Sequence, residues 1–385
     1  MTKYSGKESG SFLSQLTLRQ FRNYEAVSLS FSPGFNVFAG ANGQGKTNIL
    51  EAIAYLALLR SFRTNQAAPL KRYGSDHFYI RGKLKEIGHD ETRVRDIAVG
   101  YGEKRQFSIG GARIEKASEF VNQFLCVPLV PEDIDLIKGA PSVRRRFANV
   151  ALTQIYERYL QDFQRFTLCL RYRNTMLKQT GRYSAAALRA YDAVLTAHGA
   201  RIMAMRKEFV SELNSALYEI SGPFLGRDTR VLTIQYRPNL RSAASEGITE
   251  LQLKDVYARA LEKTERRDRE EGRTTVGPQR DDIAFLLGGR ALSTFGSEGE
   301  CRLACLAVRL ACCQVICLQP GKDSISLLVD DVYGELDPVR RAAFFELIRQ
   351  FGQVFLTTTA IPEEVSEGAD VVYGVSQGRT ERMHG

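Results

Sequence analysis

The 385-residue sequence has no apolar run approaching a membrane span, which for an α-helix takes about 20 residues. Residues 1–11 are polar and lack the apolar core of a secretory signal. They are expected to form a disordered tail, and the cytoplasm is the expected location. Cysteine occurs without a ligand pattern. Five of the seven cysteines crowd into Cys301, Cys305, Cys312, Cys313 and Cys317, yet no pair is spaced C-x-x-C and no histidine lies nearby. They read as small apolar residues of a buried helix. Nor is there an acidic surplus: 53 Lys+Arg face 44 Asp+Glu. The excess is local. Residues 141–274 hold 24 basic and 15 acidic residues, and the rest of the chain holds 29 of each. Residues 141–190 alone hold ten basic and two acidic residues. Such a concentration fits a surface for a phosphate backbone, although on charge alone a solvated basic helix face fits equally well.

What is present begins with Gly40-Ala41-Asn42-Gly43-Gln44-Gly45-Lys46-Thr47, a full G-x-x-x-x-G-K-[ST] phosphate loop. An apolar run at 35–39 reads as a strand before it, and 48–56 has helical spacing after it. Strand, glycine-rich loop and helix are the context this motif requires. Backbone N–H groups of the loop and the helix N-terminus suit phosphate oxygens. Lys46 is expected to reach the β and γ phosphates, and the Thr47 hydroxyl to bind Mg²⁺.

The texture along the chain suggests a fold. Strands are expected at 12–18 and 24–31, with a turn at 21–24, and a β-rich layer at 76–129 with a hairpin at Gly110-Gly111. From Pro141 the period becomes helical. One helix is expected to run to about Thr180. Another begins at Ser184 with a seam of Leu188, Tyr191, Leu195, Ile202, Phe209, Leu213, Leu217 and Ile220, so that the two form a hairpin arm joined near Gly181. A strand at 231–236 and a charged helix at 248–271 follow. Buried strands at 283–287, 324–329 and 353–358 then alternate with helices at 300–318 and 340–351. This predicts an α/β fold with a mainly parallel sheet. The expected divisions are a tail at 1–11, an ATPase lobe built from 12–140 and 275–385, and a helical lobe with its arm at 141–274.

The strand ending in Asp330-Asp331 is the second half of the expected site. Carboxylates at a strand's C-terminal end lie where α/β sheets bind ligands. Asp330 is placed to hold Mg²⁺, and Asp331 to orient or polarise the attacking water. Asp330 comes 284 residues after Lys46, far more than a small kinase or GTPase allows, which points to an ABC-type ATPase head with a large insertion. Between them Ser297 and Gly299, in Phe295-Gly296-Ser297-Glu298-Gly299-Glu300, stand at a helix mouth. In a head-to-tail dimer they could cap the γ-phosphate held by the other copy.

These motifs together resemble the RecF family, a relative of the SMC-type ATPases. The matching segments run in order: Phe21-Arg22-Asn23-Tyr24, the loop at 40–47 with Asn48 to Ile53, Arg60-Ser61-Phe62-Arg63, Val130-Pro131-Glu132-Asp133, Gly139 to Phe147, Tyr172-Arg173-Asn174, Val276 to Asp282, and Leu328 to Val332 with Glu335-Leu336-Asp337. The resemblance implies a protein that binds ATP with Mg²⁺, dimerises on it and hydrolyses it slowly to dissociate. It implies DNA binding, work with RecO and RecR to load recombinase at single-strand gaps, and support of SOS induction. Ser297 corresponds to the family's signature serine. The segment 335–337 corresponds to the one that crosses the dimer interface, and Thr357 or Thr358 takes the switch position near the γ-phosphate. Arg144, Arg145, Arg171 and Arg173 become candidate DNA contacts, with Arg145 and Arg146 as alternative hinge residues. Two departures bear on hydrolysis and dimer strength. Glu298 and Glu300 replace the usual glutamines, and Gln279 replaces the usual histidine. A transporter's nucleotide-binding subunit shares the loop and the acidic strand, but it expects Leu-Ser-Gly-Gly-Gln, a switch histidine and no basic arm. A structural SMC clamp would need a far longer coiled coil than 141–220.

Overall fold

The computed structural model describes residues 10–88, 91–179, 184–225, 230–245, 247–322, 324–361 and 363–384. Of the expected tail, residues 1–9 lie outside these. Residues 10–11 instead open the first strand, because they pair with Ile87 and Glu86. The arm's turn near Gly181 also lies outside the described residues.

The strands in chain order are β1 (Gly10–Phe21), β2 (Tyr24–Ser30), β3 (Phe35–Ala39), β4 (Phe78–Ile87), β5 (Thr92–Tyr101), β6 (Arg105–Ile109), β7 (Ala112–Ile114), β8 (Cys126–Leu129), β9 (Leu232–Arg237), β10 (Asp282–Leu287), β11 (Arg290–Ala291), β12 (Ser326–Asp330), β13 (Gln353–Thr358), β14 (Val371–Ser376) and β15 (Arg379–His384). The helices are α1 (Lys46–Leu58), α2 (Ala117–Phe120), α3 (Asp135–Lys138), α4 (Pro141–Ile155), α5 (Tyr159–Lys178), α6 (Ala185–Leu225), α7 (Glu250–Glu271), α8 (Leu292–Phe295), α9 (Glu298–Cys317), α10 (Pro338–Ile348) and α11 (Glu363–Gly368).

The chain divides into two compact units. The first comprises residues up to Asp133, a short piece at 223–225 and everything from Arg309. It holds two six-stranded sheets. One is antiparallel in the order β2-β1-β4-β5-β6-β7, and its β6–β7 hairpin turns at Gly110-Gly111, both with positive φ. The other, β15-β14-β3-β13-β12-β8, is parallel throughout except for the edge strand β15. Its inner strands β3, β12 and β13 are buried along their whole length, which explains their continuous apolar runs. Helix α1 touches strands of both sheets. It is therefore buried on nearly every side, and Leu56 packs where Gly82 of β4 leaves no Cβ. Gln353 stitches the layers together: its amide exchanges hydrogen bonds with both backbone groups of Leu13 in β1.

The second unit spans 134–222 and 226–308. This departs from the boundaries expected at 141 and 274. β10 pairs antiparallel with β9 rather than joining the parallel sheet, so 275–308, with Ser297, belongs here. The long helix expected from Pro141 is in fact two. Tyr156 is extended (φ −112°, ψ 119°) and ends α4, and α5 starts at Tyr159. Helix α6 starts where expected, capped by Ser184, whose hydroxyl accepts from the Ala187 N–H. Its seam residues are buried except Tyr191, which stacks on Tyr172 of α5. Helix α7 carries a reciprocal Thr249–Gln252 capping box.

Candidate nucleotide-binding site

β3 is flanked by β13 and β14, so the loop at 40–47 emerges from the interior of the parallel sheet at its C-terminal edge. Gly40 must be glycine, because a Cβ there would lie 2.3 Å from the Val375 carbonyl oxygen. Gly45 has φ 119°, and a Cβ would meet the Asn23 amide and the Tyr24 hydroxyl. The loop's outer side is tied down by two turns. The Gln44 carbonyl accepts from the Asn23 amide (3.0 Å) and the Gly378 N–H (3.1 Å), and the Gly45 carbonyl accepts from the Tyr24 hydroxyl (3.1 Å). With these carbonyls engaged by the protein, the loop offers N–H groups to an anion. Helix α1 has no side-chain N-cap and no acidic residue in its first turn, so its positive end is left for an external negative charge.

Lys46 is buried, and its ammonium donates to the carbonyls of Gly40 (2.6 Å) and Ala41 (2.9 Å). Burial lowers its pKa, against the pull of Asp331 and Asp330. The Thr47 hydroxyl donates to Asp330 (2.9 Å) across 283 residues of sequence. The same Asp330 oxygen accepts from the Thr357 hydroxyl (2.7 Å), and that hydroxyl accepts from the Asp331 N–H (2.9 Å). Thr47, Asp330, Thr357 and Asp331 thus form one chain of hydrogen bonds, set by the parallel register that places Asp330 beside Thr357. Asp331 is held at φ 51°, a left-handed conformation that costs a non-glycine residue about 1 kcal/mol or more and recurs at functional sites. Burial raises the Asp330 pKa, opposed by the hydrogen bonds from Thr357 and Thr47. Thr358, the other switch candidate, donates instead to the Ala360 carbonyl. A hydroxyl and a carboxylate in direct contact make an all-oxygen donor pair, which suits Mg²⁺.

A supporting shell was not assigned in the sequence. Arg22 grips the fully buried Glu51 of α1 with two hydrogen bonds of 2.7 Å, and Ser61 donates to the same carboxylate. Asn48 donates to Asn23 (2.8 Å) and accepts from Arg63 (3.2 Å). The short motifs at 21–24 and 60–63 therefore converge on the loop and its helix. Both motifs stand among the segments that resemble the family, but no part was assigned to their residues.

The Ser297 loop lies in the second unit. Ser297 caps α9 in a reciprocal box: its N–H (2.8 Å) and hydroxyl (3.0 Å) both donate to Glu300, whose own N–H donates back to the Ser297 oxygen (3.2 Å). Glu300 also accepts from Arg230 (2.7 Å), and Glu298 accepts from Arg302 (2.7 Å). The hydrogen bond from the Ser297 backbone, then that from Arg230, lowers the Glu300 pKa. Lys138 of α3 donates to the Gly296 carbonyl (2.8 Å). Gly299 has open space around it. In the segment 335–337, Asp337 caps α10 by accepting from the Arg340 N–H.

The candidate DNA arginines divide. Arg173 is wholly buried, paired with Asp192 (2.6 Å) and Asp268 (2.7 Å) and bonded to Thr274 (2.9 Å). Arg144 is buried, with a two-pronged pair to Asp282 (2.7 and 3.0 Å) and a bond to the Gly139 carbonyl. Neither is presented to a nucleic acid; guanidinium forks suit buried carboxylates as well as phosphates. Arg145 is half-buried and donates to the Asp281 carbonyl (2.8 Å). Arg171 is exposed on α5. The cysteines of α9 are buried except Cys317, which is partly so, and burial pushes the Cys312 thiol up to about 12.

The model of the RecF/RecN/SMC N terminal domain matches residues 12–384. The chain belongs to the RecF family. It is 36% identical to the DNA replication and repair protein RecF of Streptococcus pneumoniae over 91% of its own length and 93% of that protein's. The RecF of Geobacillus kaustophilus gives the same figures. Among solved structures, that of the recombination mediator protein RecF with ATP, from the RecFOR pathway, is 27% identical with a TM-score of 0.88 over 98% of each chain. The Smc head domain of Pyrococcus furiosus, at 15% identity and a TM-score of 0.55 over 97% of this chain, shares the fold. This RecF-family chain is thus an SMC-type head with α/β sheets and a helical second unit. Among its described residues no helix is long and apolar enough to cross a membrane.

Proposed function

We propose that the chain is an ATP-driven switch that acts on DNA in replication and recombinational repair. The contact between Thr47 and Asp330 carries this reading, because it brings the phosphate loop and the acidic strand into one site. The loop at 40–47 binds the phosphates of ATP, with Lys46 turning from its carbonyl partners to the β and γ phosphates. Thr47 and Asp330 hold Mg²⁺, which when bound neutralises phosphate charge. Asp331 orients the water that attacks the γ-phosphorus and accepts its proton, while the bond to ADP breaks. Thr357 keeps the two aspartates in register. Ser297 and Gly299 of a second copy close the site, so that ATP favours a head-to-tail dimer and slow hydrolysis releases it. The transporter reading has no support from the family assignment.

The DNA contact is best sought on α5. Arg165, Arg171 and Lys178 are exposed there, and the helix's one carboxylate, Asp162, is buried against His198 and Arg201. Its exposed face is therefore basic without an acid to offset it. RecO and RecR are the partners that family membership suggests, with recombinase loading at gaps and SOS induction as the downstream events.

Sedimentation and DNA binding with and without ATP test the switch. Lys46→Ala should weaken ATP binding by about tenfold or more, as loss of a charge-assisted contact does, and remove any effect of ATP on dimers and on DNA. If ATP leaves both unchanged in the unmodified protein, the switch reading fails.

A further inference from the structure

Both donors of Ser297 are already engaged. Ser297 directs its N–H and its hydroxyl to one carboxylate oxygen of Glu300, and the other oxygen takes Arg230. Lys138 anchors the Gly296 carbonyl, and Gly296 packs closely against Leu292 and Cys301. Glu298 is drawn aside by Arg302. A carboxylate thus stands in for an anion at the mouth of α9. The hydroxyl has a single proton, so it cannot donate to Glu300 and to a phosphate together.

We infer that Glu300 is an internal competitor for the γ-phosphate of the second copy, so that this residue sets how readily ATP closes the dimer. The inference rests on the reading that Ser297 meets that phosphate. When the second copy docks, its phosphate displaces the carboxylate from Ser297, and Arg230 retains the displaced group. A neutral glutamine can cap the same helix through its amide oxygen but holds the Ser297 hydroxyl less tightly, since hydrogen bonds to ions are roughly twice as strong as neutral ones. Glu300 therefore raises the threshold for closure without touching the phosphate loop. It acts as a positioning residue through Ser297.

The test measures dimer dissociation constants by sedimentation with a slowly hydrolysed ATP analogue, together with analogue binding to the monomer and melting of the nucleotide-free protein. Glu300→Gln should tighten the dimer about tenfold, with monomer binding and melting unchanged. Glu300→Ala should also tighten it, at a lower melting temperature from the lost cap, so a misfolded glutamine variant would not end the test. Ser297→Ala should weaken the dimer, and adding Glu300→Gln to it should tighten it by less than in the presence of the serine, because only the backbone N–H is then released. If Ser297→Ala weakens the dimer while both Glu300 variants leave it unchanged or weaker, Glu300 is a plain helix cap and the inference is overturned. If Ser297→Ala is itself neutral, the contact across the dimer is wrong and the inference falls with it.

Discussion

At the scale of single residues, the site concentrates on one hydroxyl. Thr357 donates to Asp330 and accepts from the Asp331 N–H, and it is fully buried. Thr357→Val keeps the shape and removes both bonds. We expect a loss of about 1–3 kcal/mol in urea-unfolding stability from the unsatisfied partners, and a larger proportional loss in hydrolysis rate than in ATP affinity. Asp330 carries a stability cost of a different kind. Its pKa is raised by burial, so the folded state holds the proton more tightly than the unfolded chain does. Stability of the nucleotide-free protein should therefore fall as pH rises from the ordinary carboxylate value through the raised one. Asp330→Asn should melt at a higher temperature than the unmodified protein at neutral pH, yet lose Mg²⁺-dependent ATP hydrolysis. A lower melting temperature for that variant would show that its hydrogen bonds outweigh its burial. The phosphate loop and the two aspartates were legible because their chemistry fixes both residue type and spacing. Asn23, Glu51 and Ser61 were not assigned a part, because a supporting residue is defined by what folding brings beside it.

At the scale of elements, helices and strands were legible where one periodicity ran unbroken. β13 falls where its apolar run predicted, and the α6 seam is buried except at Tyr191. The break between α4 and α5 was not, since Tyr156-Glu157-Arg158 contains neither glycine nor proline. The basic stretch was legible as charge but not as function. Arg173 of α5 is buried between Asp192 of α6 and Asp268 of α7, and Arg206 of α6 lies buried against Asp281 and the Pro278 carbonyl. Such pairs tolerate loss of one partner poorly. Arg173→Ala should destabilise the second unit by about 3–5 kcal/mol, read by thermal melting, and lose DNA binding only as far as it unfolds. Arg171→Ala should melt normally and lower the slope of DNA affinity against salt by about one counter-ion. A normal slope for Arg171→Ala would remove α5 from the DNA surface.

At the scale of the whole molecule, the chain divides into its two compact units at 133/134 and 308/309, away from the boundaries read in the sequence at 141 and 274. A strand's partner is not written in its own residues: the run at 283–287 reads as buried, and only the structure shows it beside β9. The same holds for the two sheets of the first unit, where Gln353 binds Leu13 across 340 residues. This separation makes an expectation for folding as a unit. Gln353→Ala removes the bonds between the layers and should cost about 2–3 kcal/mol, with β1 losing hydrogen-exchange protection before β12.

The position of β3 has a further consequence during synthesis. Its sheet neighbours are β13 and β14, which begin at Gln353 and Val371, near the end of the chain. At about 5–20 residues per second, the strand that carries the phosphate loop waits roughly fifteen seconds to a minute after leaving the ribosome before either partner exists. The second unit, by contrast, is complete by Val308. A nascent chain stalled before Gln353 should present a protease-resistant second unit and no ATP site, so the newborn protein stays blind to nucleotide until its last segment is free.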